Sequence, residues 1–319
     1  MNEKKEKIMV SVYCVAYNHA KYIRDALEGF VNQVTDFEYE VYVYDDASAD
    51  GTTEIIAEYA KKYPQVIKPI FQEENQYSKG VSVSRTYIFP QLKGKYIAVC
   101  EGDDYWCDRY KLKRQVEYME QHNDCSACVH NTKFINCRTK RSFVRYQRKR
   151  DTDISLDAVM ERGGAEFHTS SLLFRREYLY LPPAFYMKKI GDYPTAIYLA
   201  MNGRIHYFKD VMSVYRQYAS GSWSSKMYLS DNRNENVIKM DYEIINMLTR
   251  VDQYSNYAYH AKIIEVIRKK EFEIEGLKGN LKTQMKEYED VFRKLSLGGK
   301  LKTLIKHFFP ILIKIRDRI

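Results

Sequence analysis

No G-x-G-x-x-G follows the first strand-like run, and no G-x-x-x-x-G-K-[ST] occurs anywhere in the 319 residues, so the usual glycine loops for dinucleotides and triphosphates are missing. H-E-x-x-H and G-x-S-x-G are absent as well, which removes the main supports for a helical zinc protease and for a nucleophile elbow. Cysteine is limited to six residues, and the lone C-x-x-C, Cys125 and Cys128, has no second pair or histidine partner to complete a zinc site. The charged start MNEKKEKIM lacks a signal-peptide pattern, so the expectation is reduced thiols in a cytoplasmic protein.

What is present is a chain long enough for one substantial domain and an appendage, since a single core usually serves roughly 100 to 250 residues. Hydrophobic residues make up 45% and the net charge is +9, which argues against overall disorder. The positive charge is uneven: Arg138, Lys140, Arg141, Arg145, Arg148, Lys149 and Arg150 fall in one stretch without an acid. Such a stretch is either a solvated loop or a surface for phosphorylated, lipid or nucleic-acid partners. The 29 tyrosines suit half-buried strands or sugar-binding surfaces, and most are read as structural.

Short β-branched or aromatic runs alternate with helical patterns in the first half, the signature of a largely parallel sheet covered by helices. Strands are expected at 8–16, 39–44, 66–71 and 96–100, with helices at 22–33, 52–63 and 82–89 between them. Beyond Trp106 a helix at 112–121, strands at 125–135 and 170–174, and a helix starting at Asp192 suggest mixed sheet. The expected division is an α/β domain over 1–230, with a donor half at about 8–110 and an acceptor half at about 111–230. A helical extension at 231–298 and a basic amphipathic helix at 299–319 follow.

In the extension, Ile267, Ile274, Leu281, Tyr288 and Leu295 recur every seven residues while the partner positions are only half apolar. Residues 263–295 therefore suit a helical hairpin or a weak homodimer contact. The final segment carries six Lys or Arg against one Asp, with apolar residues at helical spacing. It is too short and too charged to span a bilayer, which takes about 20 apolar residues. It suits a helix lying on an anionic membrane surface, the alternative being a helix docked on the protein's own core.

Three loops carry chemistry at the carboxyl ends of the expected strands, where open α/β sheets bind ligands. CVAYNHAKY offers Tyr17 and Asn18 at a strand-to-helix turn. YDDASADGT offers Asp45 and Asp46 for a base N–H or ribose hydroxyls, with Asp50 or Thr52 as a helix cap. VCEGDDYW ends a hydrophobic strand with Glu101, Asp103 and Asp104, like charges that need solvent or a cation, and oxygen ligands are what Mg²⁺ or Mn²⁺ prefer.

Taken in order, these segments resemble family 2 of the glycosyltransferases, inverting enzymes with the GT-A fold, a Rossmann-like mixed sheet flanked by helices. VSVYCVAYNHAKYIRDAL resembles the opening strand and helix, YDDASADGT the D-D-x-S-x-D-G-T element and EGDDYWCDRYKLKRQVEYM the D-x-D region. IGDYPTAIYLAMNGRIHYFKDVMSVYRQYASGSWS resembles the acceptor-side element, and the likeness covers roughly residues 8–226. By position it implies Tyr17 against the donor base, Asp46 on the base edge, Arg85 near the nucleotide, Asp103 facing ribose or metal, and Asp104 coordinating Mg²⁺ or Mn²⁺. It implies Asp192 as general base, for which a helix N-cap is the rival role.

The implied partners are a nucleoside diphosphate sugar, UDP-linked, and a glycan or lipid-linked acceptor in surface polysaccharide synthesis, with no nucleic acid. The implied location is peripheral, at the inner face of the cell membrane. Glu101 replaces the first Asp of the D-x-D, Gly191 precedes Asp192 where many relatives have an acid, and Tyr218 stands where relatives often place a His. No Q-x-x-R-W pattern follows Arg216, which favours single additions over polymer extrusion. A nucleotidyltransferase and a non-catalytic scaffold of the same fold are the competing readings.

Overall fold

The computed structural model describes residues 8–308 except 147, 164–165 and 188–189, so most of the expected 299–319 tail lies outside the described residues. The chain divides into two compact units, one of residues 1–182 and 188–226, the other of 183–187 and 227–319.

The first unit opens with β1 Val10–Ala16, α1 Ile23–Val31, β2 Tyr39–Asp45, α2 Thr52–Lys62 and β3 Ile67–Phe71. Val10, Val12, Cys14 and Ala16 alternate along β1 into a core shared with Ile23, Ala26, Leu27 and Phe30, the apolar face of α1. A π-helical turn at Ser84–Ile88 and a 3-10 turn at Phe89–Gln91 replace the expected 82–89 helix, with Pro90 inside the second turn. Next come β4 Tyr96–Val99, β5 Tyr105–Trp106, α3 Lys111–Gln121, β6 Cys125–Asn136, β7 Ser142–Val144 and β8 Thr152–Ile154. After α4 Leu156–Arg162, β9 Leu173–Arg175 and α5 Asp192–Asn202, a 14-residue strand, β10 Arg204–Gln217, leads to α6 Trp223–Tyr228.

All ten strands join one mixed sheet, in the order β3-β2-β1-β4-β9-β6-β10-β5, with β7 on β6 and β8 on β10. β3, β2, β1 and β4 are parallel, and the antiparallel β9 connects them to the parallel pair β6 and β10. β10 was not legible as a strand because its register slips between Phe208 and Val211 and again before Ser213, interrupting the alternation of faces.

In the second unit, α7 Arg233–Tyr254 and α8 His260–Lys278 are long, whereas α9 Leu281–Lys286 and α10 Glu289–Lys294 have six residues each. Gly279 takes φ +83° and ends α8, so the seven-residue repeat is carried by three separate helices. α11 Leu297–Phe308 follows, and no helix among the described residues is long and apolar enough to cross a membrane.

Candidate active site

The loops after β1 and β2 are laced together. Asn18, at φ 56°, donates its N–H to Ser48 Oγ at 2.8 Å and accepts the Ala49 N–H on Oδ1 at 3.0 Å. Beside it the His19 N–H reaches Thr52 Oγ1 at 2.8 Å, and the Ala20 N–H reaches Asp50 Oδ2 at 3.0 Å. Tyr17 stands exposed at the start of this seam.

The two carboxylates ending β2 and opening its loop have different work. Asp45 is buried and accepts from the hydroxyls of Ser48 and Thr53, so it shapes its own loop. Asp46, also buried, takes Tyr44 Oη at 2.9 Å and the main-chain N–H groups of Gln76 and Tyr77 at 2.9 and 3.0 Å. It thereby anchors the loop beyond β3. Arg85, on the π-helical turn, lies 6.0 Å from the ring centroid of Tyr180, and no described contact ties it to the acids.

Beyond β4 the chain turns sharply, with the Gly102 N–H donating to Val15 O at 3.0 Å and the Asp104 N–H to Glu101 O at 3.1 Å. A Cβ on Gly102 would come within 2.9 Å of the His19 and Ile23 side chains and 3.1 Å of Ala16 Cβ, so any larger residue would displace them. The turn gathers Glu101, Asp103 and Asp104, with one carboxylate oxygen of each within 4.8 Å of the others. Asp104 is wholly buried; its Oδ1 accepts the Arg216 N–H at 2.9 Å, and its Oδ2 has no hydrogen-bond partner. Burial, then the charges of Asp103 and Glu101, push the Asp104 pKa well up. Glu101 borders solvent, yet the surrounding protein, followed by Asp103 and Asp192, pushes its pKa up to about 8.

Arg216 braces this corner. Its Nη1 donates to Asp103 O at 2.9 Å, Nη2 pairs with Asp25, and its guanidinium lies 4.6 Å from the ring centroid of Tyr105 and 5.3 Å from that of Tyr22. On the far side stands His168, whose Nδ1 is 3.7 Å from Asp104 Oδ2 and 2.9 Å from Ser170 Oγ, with its ring tilted against Tyr215. Burial, then Arg145, pulls the His168 pKa down to about 3, so the ring is neutral. Neither Arg216 nor His168 was singled out from sequence: one lies on the unrecognised strand, and a lone His before a strand has no pattern.

Asp192 is the first residue of α5, after Gly191. Its Oδ1 accepts the N–H of the next residue, Tyr193, at 2.8 Å, and no side chain caps the helix. The carboxylate is open to solvent, though the surrounding protein raises its pKa against main-chain hydrogen bonds. Its charge is felt by Glu101 and, more weakly than burial, by Tyr13 on β1. The three carboxylates of the turn are all oxygen donors close enough together to share one cation.

The family model for glycosyl transferase family 2 matches residues 11–181. An uncharacterized protein of Mycobacterium tuberculosis is 36% identical over 222 residues, 68% of this chain and 61% of that protein, so the chain spans under two thirds of that relative's length. The minor teichoic acid biosynthesis protein GgaB of Bacillus subtilis is 34% identical over 105 residues, 33% of this chain and 11% of GgaB. Among solved structures, S. aureus TarS 1-349 in complex with UDP-GlcNAc superposes with a TM-score of 0.56 at 19% identity, covering 89% of this chain and 83% of that one. The mixed sheet and its flanking helices thus form a GT-A type fold, and the chain belongs to glycosyl transferase family 2.

Proposed function

We propose that the chain transfers a sugar from a nucleoside diphosphate sugar, UDP-linked, to a hydroxyl of a glycan or lipid-linked acceptor in surface polysaccharide synthesis, with inversion. The reading rests on the turn that brings carboxylate oxygens of Glu101, Asp103 and Asp104 within 4.8 Å of one another. The UDP-GlcNAc complex of TarS and the teichoic acid role in the name of GgaB support the donor and the pathway class.

The acidic turn fits Mg²⁺ or Mn²⁺: its donors are all oxygens, they lie within 4.8 Å, and Asp104 Oδ2 is buried without a partner. Asp104 and Asp103 would hold the ion, which as a Lewis acid would neutralise charge on the departing diphosphate. Tyr17 and the loop anchored by Asp46 bind the nucleoside, and Asp103 faces the ribose. Asp192 accepts the proton of the acceptor hydroxyl, and the surrounding protein raises its pKa, which makes it a stronger base than a free carboxylate. The acceptor oxygen then attacks the anomeric carbon opposite the leaving diphosphate, and a single displacement inverts the configuration.

A thermal-shift screen of nucleotide sugars with Mn²⁺ identifies the donor, because a bound donor raises the melting temperature by mass action. With that donor, Asp192→Asn should lose nearly all transfer while retaining donor binding, and Asp104→Ala should lose both transfer and metal-dependent donor hydrolysis. An Asp192→Asn enzyme with ordinary turnover removes the base assignment, and undiminished turnover in Asp104→Ala removes the metal site.

A further inference from the structure

The basic stretch begins as a hairpin arm rather than a featureless loop. β7 pairs antiparallel with the end of β6, and the turn between them is closed by Asn136 Oδ1, which accepts the N–H groups of Arg138 and Thr139 at 3.0 Å. β7 is exposed along its length, with Phe143 stacked on Phe134 at 5.3 Å between centroids. Arg138, Lys140, Arg141, Arg145, Lys149 and Arg150 are exposed, and none forms an ion pair with an acid among the described residues. Only Arg148 does, with the buried Glu166. Cations that serve stability or solubility are ordinarily interspersed with acids, and this row is not.

The row leads toward the acidic turn. The Arg145 guanidinium lies 5.7 Å from the centroid of Phe134, whose ring meets His168 edge-on at 6.0 Å, and His168 faces Asp104. Arg145 is the leading charge felt by His168, and the neighbouring Tyr146 feels both Arg145 and Asp192. The N–H of Cys137, at the turn, donates to Gln217 O at 2.9 Å, next to Arg216. A ligand lying along the arm therefore arrives beside the acidic turn.

We propose that the arm is the binding track for a polyanionic glycan acceptor, one bearing phosphodiester or carboxylate groups along its chain. The assignment rests on the sugar-transfer reading above. An anionic polymer supplies charges at intervals that a row of separate cations can meet, whereas a neutral glycan gains nothing from them. The exposed Phe143 adds an apolar face for a sugar ring. Charges at the rim of a site act chiefly through steering and salt-sensitive affinity.

The test uses the full chain and its Arg141→Gln/Arg145→Gln/Lys149→Gln triple variant, with poly(glycerol phosphate), polygalacturonate and dextran as probes and calorimetry as the readout. At low salt at least one anionic polymer should bind, dextran should not, and the variant should bind that polymer about tenfold or more weakly with a shallower salt dependence. Donor affinity and donor hydrolysis should be unchanged in the variant. The proposal is overturned by equal binding of dextran, by unaltered polymer binding in the variant, or by a matching loss of UDP affinity, which would assign the arm to the donor's diphosphate. It is equally overturned if anionic phospholipid vesicles or duplex DNA bind through these three residues and the polymers do not. If no nucleotide sugar is bound or cleaved, the transfer reading fails while polymer binding through the arm is still read directly.

Discussion

The main-chain N–H of Arg216 donates to Asp104 Oδ1 at 2.9 Å across a sequence separation of 112 residues, and the same residue's guanidinium holds the Asp103 carbonyl. A strand from the second half of the sheet thus fixes the aim of the acidic turn that ends its first half. Replacing Arg216 by Met leaves the main-chain bond and removes the bonds to Asp103 O and Asp25. Groups that orient metal ligands typically account for 10–100-fold in metal affinity, so Arg216→Met should weaken Mn²⁺ binding on that order. Calorimetric titration with Mn²⁺ checks this.

Asp46→Ala should act on the loop beyond β3. The substitution strips acceptors from the N–H groups of Gln76 and Tyr77 and from Tyr44 Oη. Orphaned buried donors cost about 1–3 kcal/mol each unless the loop shifts to reach water. The expected outcome is faster amide hydrogen exchange at Gln76 and Tyr77 and a raised KM for the donor, with kcat less affected.

Lys111 offers a stability prediction independent of catalysis. It is fully buried, donates to Gln115 Oε1 at 2.6 Å, and lies 4.0 Å from the ring centroid of Trp106. Burial pulls its pKa down from 10.5 to about 7, so between those values the unfolded chain holds a proton that the folded protein does not. Its contribution to stability therefore rises with pH across that window, by up to about 1.4 kcal/mol per pH unit, and its penalty is full below about pH 7. Lys111→Met should be more stable than the parent at pH 6, with the difference shrinking by pH 9. Urea unfolding at a series of pH values reads both.

Gly94→Ala should damage the sheet. An added Cβ there would come 2.3 Å from Ser11 N and 2.7 Å from the Val10 carbonyl carbon, and both are main-chain atoms of β1. Overpacking of this kind costs about 1–3 kcal/mol or more, equivalent to roughly 2–12 °C in melting temperature for a unit of this size. Differential scanning calorimetry measures it.

The first half of the sheet was legible because β1, β2 and β4 are dense in buried apolar residues and each strand ends in a loop with its own chemical signature. Local pattern could place Asp46, Asp103, Asp104 and Asp192 on loops or helix starts, but could not show that Asp46 spends its lone pairs on a neighbouring loop. Arg216 and His168 escaped notice because their roles depend on long-range pairing, β10 beside β6 and the 3-10 turn before β9. The Gly279-Asn280 pair, a helix stop in its own right, was the overlooked signal that the seven-residue repeat would break.

The seam joining Asn18, His19 and Ala20 to Ser48, Ala49, Asp50 and Thr52 has a consequence for redesign. Neither loop holds its shape alone, since each supplies the acceptors for the other's main chain. Grafting one loop from a relative to change donor preference would leave amide groups unmet and misplace Tyr17. The two loops must be exchanged as one cassette.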